Sequence, residues 1–358
     1  MSFKHKDKTV KKLLYSKQSN PHSVLIKKKG IEYKKYREQW KDTGDLKIET
    51  DYPTQVDFEL NPSCNLKCPM CTWSAEKTFG QGRSKWMDFN KYKIIINEIK
   101  DKVKSVNLNY INEPLIRNDI LDFVKYATDK GIMEIMFNTN GLLLNEKISE
   151  KLINSGLTKL SVSLDAYTEK VYDKIRIGSD FKKVIQNIKN FLKLRKKLNS
   201  KLPLLKVTFL KVSINKNELD PFLKYWEKKA DLISIQNPSN PFDGKLFETK
   251  RKWLGIKKSK NETKVSNKVS YEQEFDDMKR CAQPNQRLVI DSDGTVHPCC
   301  NFRGKEINIG NAFKDTIHSI WNNKKYTELR KIQKKGEYKK NKVCKVCIDH
   351  GSNTTPDV

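Results

Sequence analysis

Between residues 54 and 237, short apolar runs alternate with longer amphipathic ones. The strand-like runs cover 56–60, 105–110, 133–138, 159–164, 205–212 and 232–236, and the helix-like ones lie near 91–102, 120–130, 146–155, 181–198 and 219–229. Asn90 and Asn145 stand where helix N-caps are expected, and Gly131 and Gly156 where helices stop. A strand-then-helix repeat at this spacing predicts parallel strands joined by helical crossovers. The predicted class is α/β, a partial (β/α)6 TIM-like barrel. In such barrels chemistry sits at the C-terminal ends of the strands.

The flanks read differently. Residues 1–53 form a basic extension, with Tyr33, Tyr36 and Trp40 at near-helical spacing. They predict an amphipathic helix on the outside of the main domain. Residues 238–280 are rich in turn formers and then polar without period, the pattern of a linker that folds over the barrel mouth. Asp243 and Trp253 in it are possible substrate contacts. Residues 281–358 hold strand-like 287–290, the turn Asp291-Ser292-Asp293-Gly294, strand-like 295–297 and a helix near 317–333. This predicts a small C-terminal β-hairpin/helix domain.

Composition narrows the partners. A net charge of +28 invites a nucleic-acid reading, but the lysines are spread along the whole chain. Solvated helix faces explain that spread, so nucleic acid is not the expected partner. An acidic or phosphorylated small molecule fits the same charge. No run of about 18 apolar residues predicts a membrane span, and the polar start lacks the apolar core of a signal peptide. The eight cysteines are clustered in a chain bearing no export signal. Metal binding in a reducing compartment, the cytoplasm, is therefore expected.

The first cysteine group is Cys64-x3-Cys68-x2-Cys71, directly after the first strand-like run. Thiolates are soft ligands that suit iron–sulfur clusters or zinc. Thr72, Trp73 and Ser74 supply no fourth ligand for structural zinc. Three ligands on one loop suit a four-iron cluster with one iron left open.

This loop, with Asn65-Leu66 inside it, resembles the cluster loop of radical S-adenosylmethionine (SAM) enzymes. The resemblance implies a [4Fe-4S] cluster on Cys64, Cys68 and Cys71 whose open iron binds SAM. It also implies reductive SAM cleavage to a 5′-deoxyadenosyl radical, with electrons from a donor such as flavodoxin or ferredoxin. Tyr110-Ile111-Asn112-Glu113-Pro114 resembles the family's Gly-Gly-Glu-Pro segment, with Ile111 and Asn112 in place of the glycines. By that resemblance Asn112, Glu113 and Pro114 hold the SAM amino group. Asn138-Thr139-Asn140-Gly141 and Ser163-Leu164-Asp165 are similar to further family segments, which implies that Asn138, Asn140, Ser163 and Asp165 line the SAM pocket. Arg176 is a candidate partner for the SAM carboxylate.

Cys281, Cys299, Cys344 and Cys347 make a compact four-thiol set that by ligand type alone suits zinc equally well. The spacing Cys281-x12-Gly294-x4-Cys299 is similar to the SPASM/twitch extension of radical SAM enzymes, which implies one auxiliary [4Fe-4S] cluster. Cys300 is left over, or swaps with Cys299. As a thiol near substrate it is a candidate hydrogen-atom donor. The expected activity is hydrogen abstraction from a polar, carbohydrate-type small molecule, giving oxidation or epimerisation. A ribosomal-peptide maturase and a zinc-stabilised nucleic-acid-binding protein are the alternatives.

Overall fold

Seven parallel strands, one more than the repeat predicts, make the main wall of the fold in the computed structural model, which describes residues 10–15, 21–71, 85–236 and 280–349. The strands are β1 (Val10–Tyr15), β2 (Gln55–Phe58), β3 (Ser105–Asn107), β4 (Glu134–Thr139), β5 (Lys159–Ser163), β6 (Leu204–Leu210), β7 (Leu232–Gln236), β8 (Arg287–Ile290), β9 (Thr295–His297) and β10 (Gly310–Asn311). Their order across the sheet is β1-β7-β6-β5-β4-β3-β2-β8-β9-β10. From β7 to β8 every pairing is parallel. β1 closes one edge and the β8–β9–β10 meander the other, all antiparallel. The sheet does not close, so the barrel is partial. The seventh parallel strand is β8, from the C-terminal part of the chain, and residues 237–279, including Asp243 and Trp253, lie outside the described residues.

Strand alternation sorts the two faces. Val56, Phe58, Val106, Phe137, Leu160, Val162, Val207 and Phe209 are buried together with Ile96, Phe123, Ile188 and Phe191 from the helical layer. The opposite face is polar, which is why these strands alternate instead of reading as continuous apolar runs. There Gln55 bonds Asp57 and Ser105, and Arg287 pairs with Asp57.

The helices on the apolar face start and stop as short-range chemistry dictates. They include α3 (Phe89–Ile99), α4 (Ile120–Asp129), α5 (Glu146–Asn154), α6 (Glu169–Ile175), α7 (Phe181–Lys197) and α8 (Leu219–Trp226), after the N-terminal α1 (Pro21–Lys29) and α2 (Ile31–Gly44). Asn145 caps α5 by accepting from the Ile148 amide at 2.9 Å, as expected. The cap of α3 is Asp88, which accepts from the Lys91 amide at 3.0 Å, and not Asn90, which lies inside the helix. Gly131 and Gly156 end their helices at φ 84° and 92°.

Helix α2 forms where Tyr33, Tyr36 and Trp40 predict it, but it does not lie against the helical layer. It covers the N-terminal ends of the strands. Tyr33 donates to Glu134 Oε2 at 2.6 Å, Gln286 Nε2 donates to the Trp40 carbonyl at 2.7 Å, and the Arg287 guanidinium lies 5.7 Å from the Trp40 ring centroid. Glu134, at the start of β4, also takes Lys159 Nζ at 2.7 Å and has Arg37 at 3.9 Å. Burial alone would raise its pKa, but Lys159 and then Arg37 hold it down at about 2. The stability this carboxylate contributes is complete above the ordinary Glu pKa and is lost as pH falls towards 2. Lys159→Met leaves the charge buried with weaker compensation and is expected to cost about 3–5 kcal/mol in urea unfolding at pH 7.

In the C-terminal part, β8 and β9 turn at Gly294, whose φ is 85° and where a Cβ would meet the Phe313 ring at 2.6 Å. That close approach accounts for the glycine in the cysteine spacing. Gln283–Gln286 forms a short helix, α9. The single helix expected at 317–333 is two, α10 (Ile317–Asn322) and α11 (Lys324–Lys334), because Asn323 turns extended and caps the second through the Tyr326 amide. Helix α12 (Lys342–Asp349) carries the last cysteine pair. No helix among the described residues is long and apolar enough to cross a membrane.

Candidate active site

The loop after β2 is held at three points before any metal is considered. Asn61 Nδ2 donates to the Ser63 carbonyl and hydroxyl and to the Glu113 carbonyl, at 3.1–3.3 Å. The Lys67 amide donates to the Ile177 carbonyl at 2.9 Å, and Asn140 Nδ2 donates to Asn65 Oδ1 at 2.8 Å. The Cys71 amide closes a turn onto the Cys68 carbonyl at 3.0 Å. Cys68 is buried, with Cys64 and Cys71 half-buried. Burial pushes the Cys64 thiol up to about 12, with Glu113, Cys71 and Cys68 adding to the rise. Metal binding here has to displace protons. The three thiols share one anchored loop, with Cys68 and Cys71 raising the Cys64 thiol, a soft donor set whose chemistry suits an iron–sulfur cluster, although among the described residues no group of three or more such side chains is already drawn together as a single-ion site.

Glu113, in the loop that follows β3, is buried and strongly hydrogen-bonded. Its carboxylate accepts from Thr139 Oγ1 at 2.7 Å, the Asn140 amide at 2.7 Å and the Leu115 amide at 3.1 Å. Burial raises its pKa to about 6 against the pull of those donors. Pro114 starts a 3-10 turn directly after it. The non-glycine residues with positive φ among those described are Leu46, Asp165 and Asn199, so Ile111 and Asn112 sit in conformations open to any residue. Asn112 uses its side chain instead: Nδ2 donates to Asn61 Oδ1 at 2.8 Å, and Oδ1 accepts from the Tyr110 amide at 2.9 Å. Its amide ties the second strand end to the cysteine loop where the resembling families have glycine.

Asn138 is exposed at its strand end, where its amide and Nδ2 both donate to Asn109 Oδ1, at 2.8 and 3.3 Å. Ser163 is half-buried and registered beside Thr208, which is registered beside Ser234. Asp165 is buried in the left-handed region at φ 62° and forms an ion pair with Arg176. Arg176 Nη1 also points at Cys68 Sγ, 3.9 Å away.

The second thiol group is gathered around a cavity. Cys281, Cys299, Cys344 and Cys347 line one cavity between the hairpin and α12. Burial raises the Cys344 thiol to about 12 and the Cys281 thiol to about 11. A Cβ on Gly304 would come within 2.6 Å of Cys299 Sγ, so the backbone closes tightly over that sulfur. Four thiols around one cavity fit an auxiliary cluster. Cys300 is not among the residues lining that cavity, but its amide and thiol both donate to Gln283 Oε1, at 3.0 and 3.2 Å, and Gln283 does line it.

Several contributors carry no motif. Lys305, half-buried with its side chain almost covered, bridges the buried Glu59 and Asp291, at 3.4 and 3.1 Å, with the Tyr110 ring centroid 4.6 Å away. His297 lies between Asp291 and the Cys299 carbonyl, at 3.2 and 3.1 Å. Buried Arg117 donates to the Leu60 carbonyl at 2.6 Å and the Met87 carbonyl at 3.0 Å, fixing the chain as it enters the cysteine loop. The sequence signal that would have found part of this is the run of asparagines at strand ends, 61, 107, 109, 112, 138 and 140.

Comparison with known proteins agrees with this geometry. The radical SAM superfamily model matches residues 58–207, and the SPASM iron–sulfur cluster-binding domain model matches residues 281–348. A probable GTP 3′,8-cyclase of Methanococcus maripaludis is 30% identical over 179 residues, 50% of this chain and 56% of that protein. An AdoMet-dependent heme synthase of Methanosarcina barkeri is 32% identical over 127 residues, 36% of this chain and 35% of that protein. The chain thus spans little more than half the length of the curated relatives it matches. Among solved structures, Streptococcus suis SuiB bound to S-adenosylmethionine aligns with TM-score 0.59 at 19% identity, covering 84% of this chain and 72% of that one. BtrN in complex with AdoMet and 2-DOIA aligns with TM-score 0.53 at 19% identity, covering 83% and 93%. Together the two matched domains imply a SAM-binding [4Fe-4S] cluster and an auxiliary iron–sulfur cluster. The chain thus carries a radical SAM domain over residues 58–207 and a SPASM iron–sulfur cluster-binding domain over residues 281–348.

Proposed function

We propose that this enzyme abstracts hydrogen from a polar, carbohydrate-type small molecule at the mouth of the barrel and so oxidises or epimerises it. When bound, the SAM cluster supplies the electron that turns SAM into a primary carbon radical able to attack an unactivated C–H bond. In this reading Cys64, Cys68 and Cys71 hold that cluster, and Cys281, Cys299, Cys344 and Cys347 hold the auxiliary one. A flavodoxin- or ferredoxin-type donor in the cytoplasm supplies the electron. The observation that carries the substrate class is the polar inner face. The side chains of Ser163, Thr208 and Ser234 occupy neighbouring positions on three strands, with the Glu59–Lys305–Asp291 cluster on the other side. Hydroxyl and charged groups of this kind match a hydroxylated or phosphorylated substrate better than an apolar one.

The remaining roles follow from position. Glu113 receives the SAM amino group, and Asn112 and Pro114 set the backbone beside it. Asn138, Asn140, Ser163, Asp165 and Arg176 line the rest of the pocket. Because burial raises the Glu113 carboxyl to about 6, its hold on an ammonium weakens as pH falls through that value. SAM affinity is therefore expected to drop on the acid side of about pH 6. Glu113→Gln should flatten that limb and weaken SAM binding about tenfold or more, read by equilibrium binding across pH 5–8.

Cys300 is the proposed hydrogen-atom donor from the face opposite to abstraction, its thiol being restored by an electron and a proton from the donor protein. Deuterium placed at the reacting carbon of a candidate sugar should appear in 5′-deoxyadenosine. Cys300→Ala should keep that transfer and lose epimer formation. Deuterium transfer from a peptide and from no sugar would overturn the substrate class. Unchanged epimer yield in Cys300→Ala, or a two-electron oxidised product from the unaltered enzyme, would remove Cys300 from the chemistry.

A further inference from the structure

Arg176 ends helix α6 and is a candidate partner for the SAM carboxylate by its planar charge, yet its guanidinium is already engaged. Nη2 forms an ion pair with Asp165, and Nη1 lies 3.9 Å from Cys68 Sγ, within reach of a hydrogen bond to sulfur. Nε is buried and has no hydrogen-bond partner among the described residues. Both ends of the arrangement are fixed. Asp165 sits in a left-handed backbone conformation that non-glycine residues adopt only when their surroundings impose it. Those surroundings are explicit: its carboxylate accepts from the Leu210 amide and its carbonyl from Asn215 Nδ2, both at 2.7 Å. On the other side, the Arg176 amide bonds the Tyr172 carbonyl at 2.7 Å, and the next residue accepts from the Lys67 amide inside the cysteine loop. Gly178, at φ 93°, lets the chain turn there; a Cβ on it would stand 3.5 Å from the Asn65 carbonyl. The segment that carries Arg176 is thus bonded to the same loop that presents Cys68.

We infer that Arg176, locked by Asp165, donates a hydrogen bond to Cys68 Sγ and so raises the reduction potential of the cluster that Cys68 holds. This rests on the reading that Cys64, Cys68 and Cys71 carry the SAM cluster. The physical reason is direct. A reduced cluster carries one more negative charge, and a fixed cationic N–H donor at a cysteine sulfur stabilises that charge more than it stabilises the oxidised form. The competing account is that the Arg176–Asp165 pair merely ties α6 to the strand end and is released to bind the SAM carboxylate.

The test is a redox titration of full-length protein, anaerobically reconstituted and without SAM, followed by electron paramagnetic resonance. The signal that SAM addition perturbs identifies the relevant cluster. In Arg176→Gln that signal should titrate at a clearly more negative midpoint, while the other cluster's midpoint stays put. Arg176→Lys keeps the charge but loses the planar fork that bridges two partners, and should fall between. The midpoint is read on whatever fraction assembles, so poor cluster loading in one variant does not decide the outcome. An unchanged midpoint in both variants, with only SAM affinity weakened, overturns the inference. Equal shifts of both clusters would overturn it too. Absence of any SAM-sensitive iron–sulfur signal in the unaltered protein would instead sink the cluster assignment itself.

Discussion

Anaerobically reconstituted Cys64→Ala/Cys68→Ala/Cys71→Ala protein is expected to hold about four irons where the unaltered chain holds about eight. It should form no 5′-deoxyadenosine from SAM. The expectation follows from the loop's construction. Its anchors are Asn61, the Lys67 amide and Asn65, none of which is a cysteine, so the loop keeps its place when the thiols are gone. Loss of iron and of cleavage would then report the ligands and not a collapsed fold. Continued 5′-deoxyadenosine formation by the triple variant would contradict the radical SAM chemistry outright.

The second large effect is expected at the other end of the chain. Cys344→Ala/Cys347→Ala removes two of the four thiols around the C-terminal cavity and should abolish substrate conversion. Slow SAM cleavage in dithionite should survive, because Glu113, Asn140 and the cysteine loop belong to the barrel. Iron content and 5′-deoxyadenosine yield, measured on the same sample, separate the two losses. Full turnover in this variant would make the second site a structural staple only. Since removal of a metal site can unfold a small domain, circular dichroism of the soluble protein belongs with the assay.

What was legible in the sequence had short-range causes. The strands between 56 and 236 are legible because outward apolar and inward polar positions alternate along much of each, and the cysteine spacings point to the domains that match because spacing within one loop is local. Asn90 misleads because Asp88, two residues earlier, is an equally good cap and the chain uses it. Asn323 splits a helix that its flanking periodicity would have run through. The position of α2 was not readable either: the Tyr33–Glu134 bond joins residues 101 apart, and no local pattern encodes such a partner. The same holds for Lys305, whose charge is neutralised by Glu59, 246 residues away. For Arg176 the sequence offers the SAM carboxylate as a partner and gives no sign that Asp165 pairs with it.

The parallel pairing of β8 with β2 also sets a timetable. Arg287 and Asp57 are 230 residues apart, so β2 is synthesised long before the neighbour that will cover one of its edges. At ribosomal speeds that interval is roughly 10–50 s. For that time a bare strand edge faces other nascent chains, the situation in which sheets aggregate. The chain meets it with a strand only four residues long and with carboxylates at Asp57 and Glu59 on its inner side. Short length and inward charge both discourage intermolecular pairing. The acidic groups that later bind Arg287 and Lys305 therefore guard the edge while their partners are still being made.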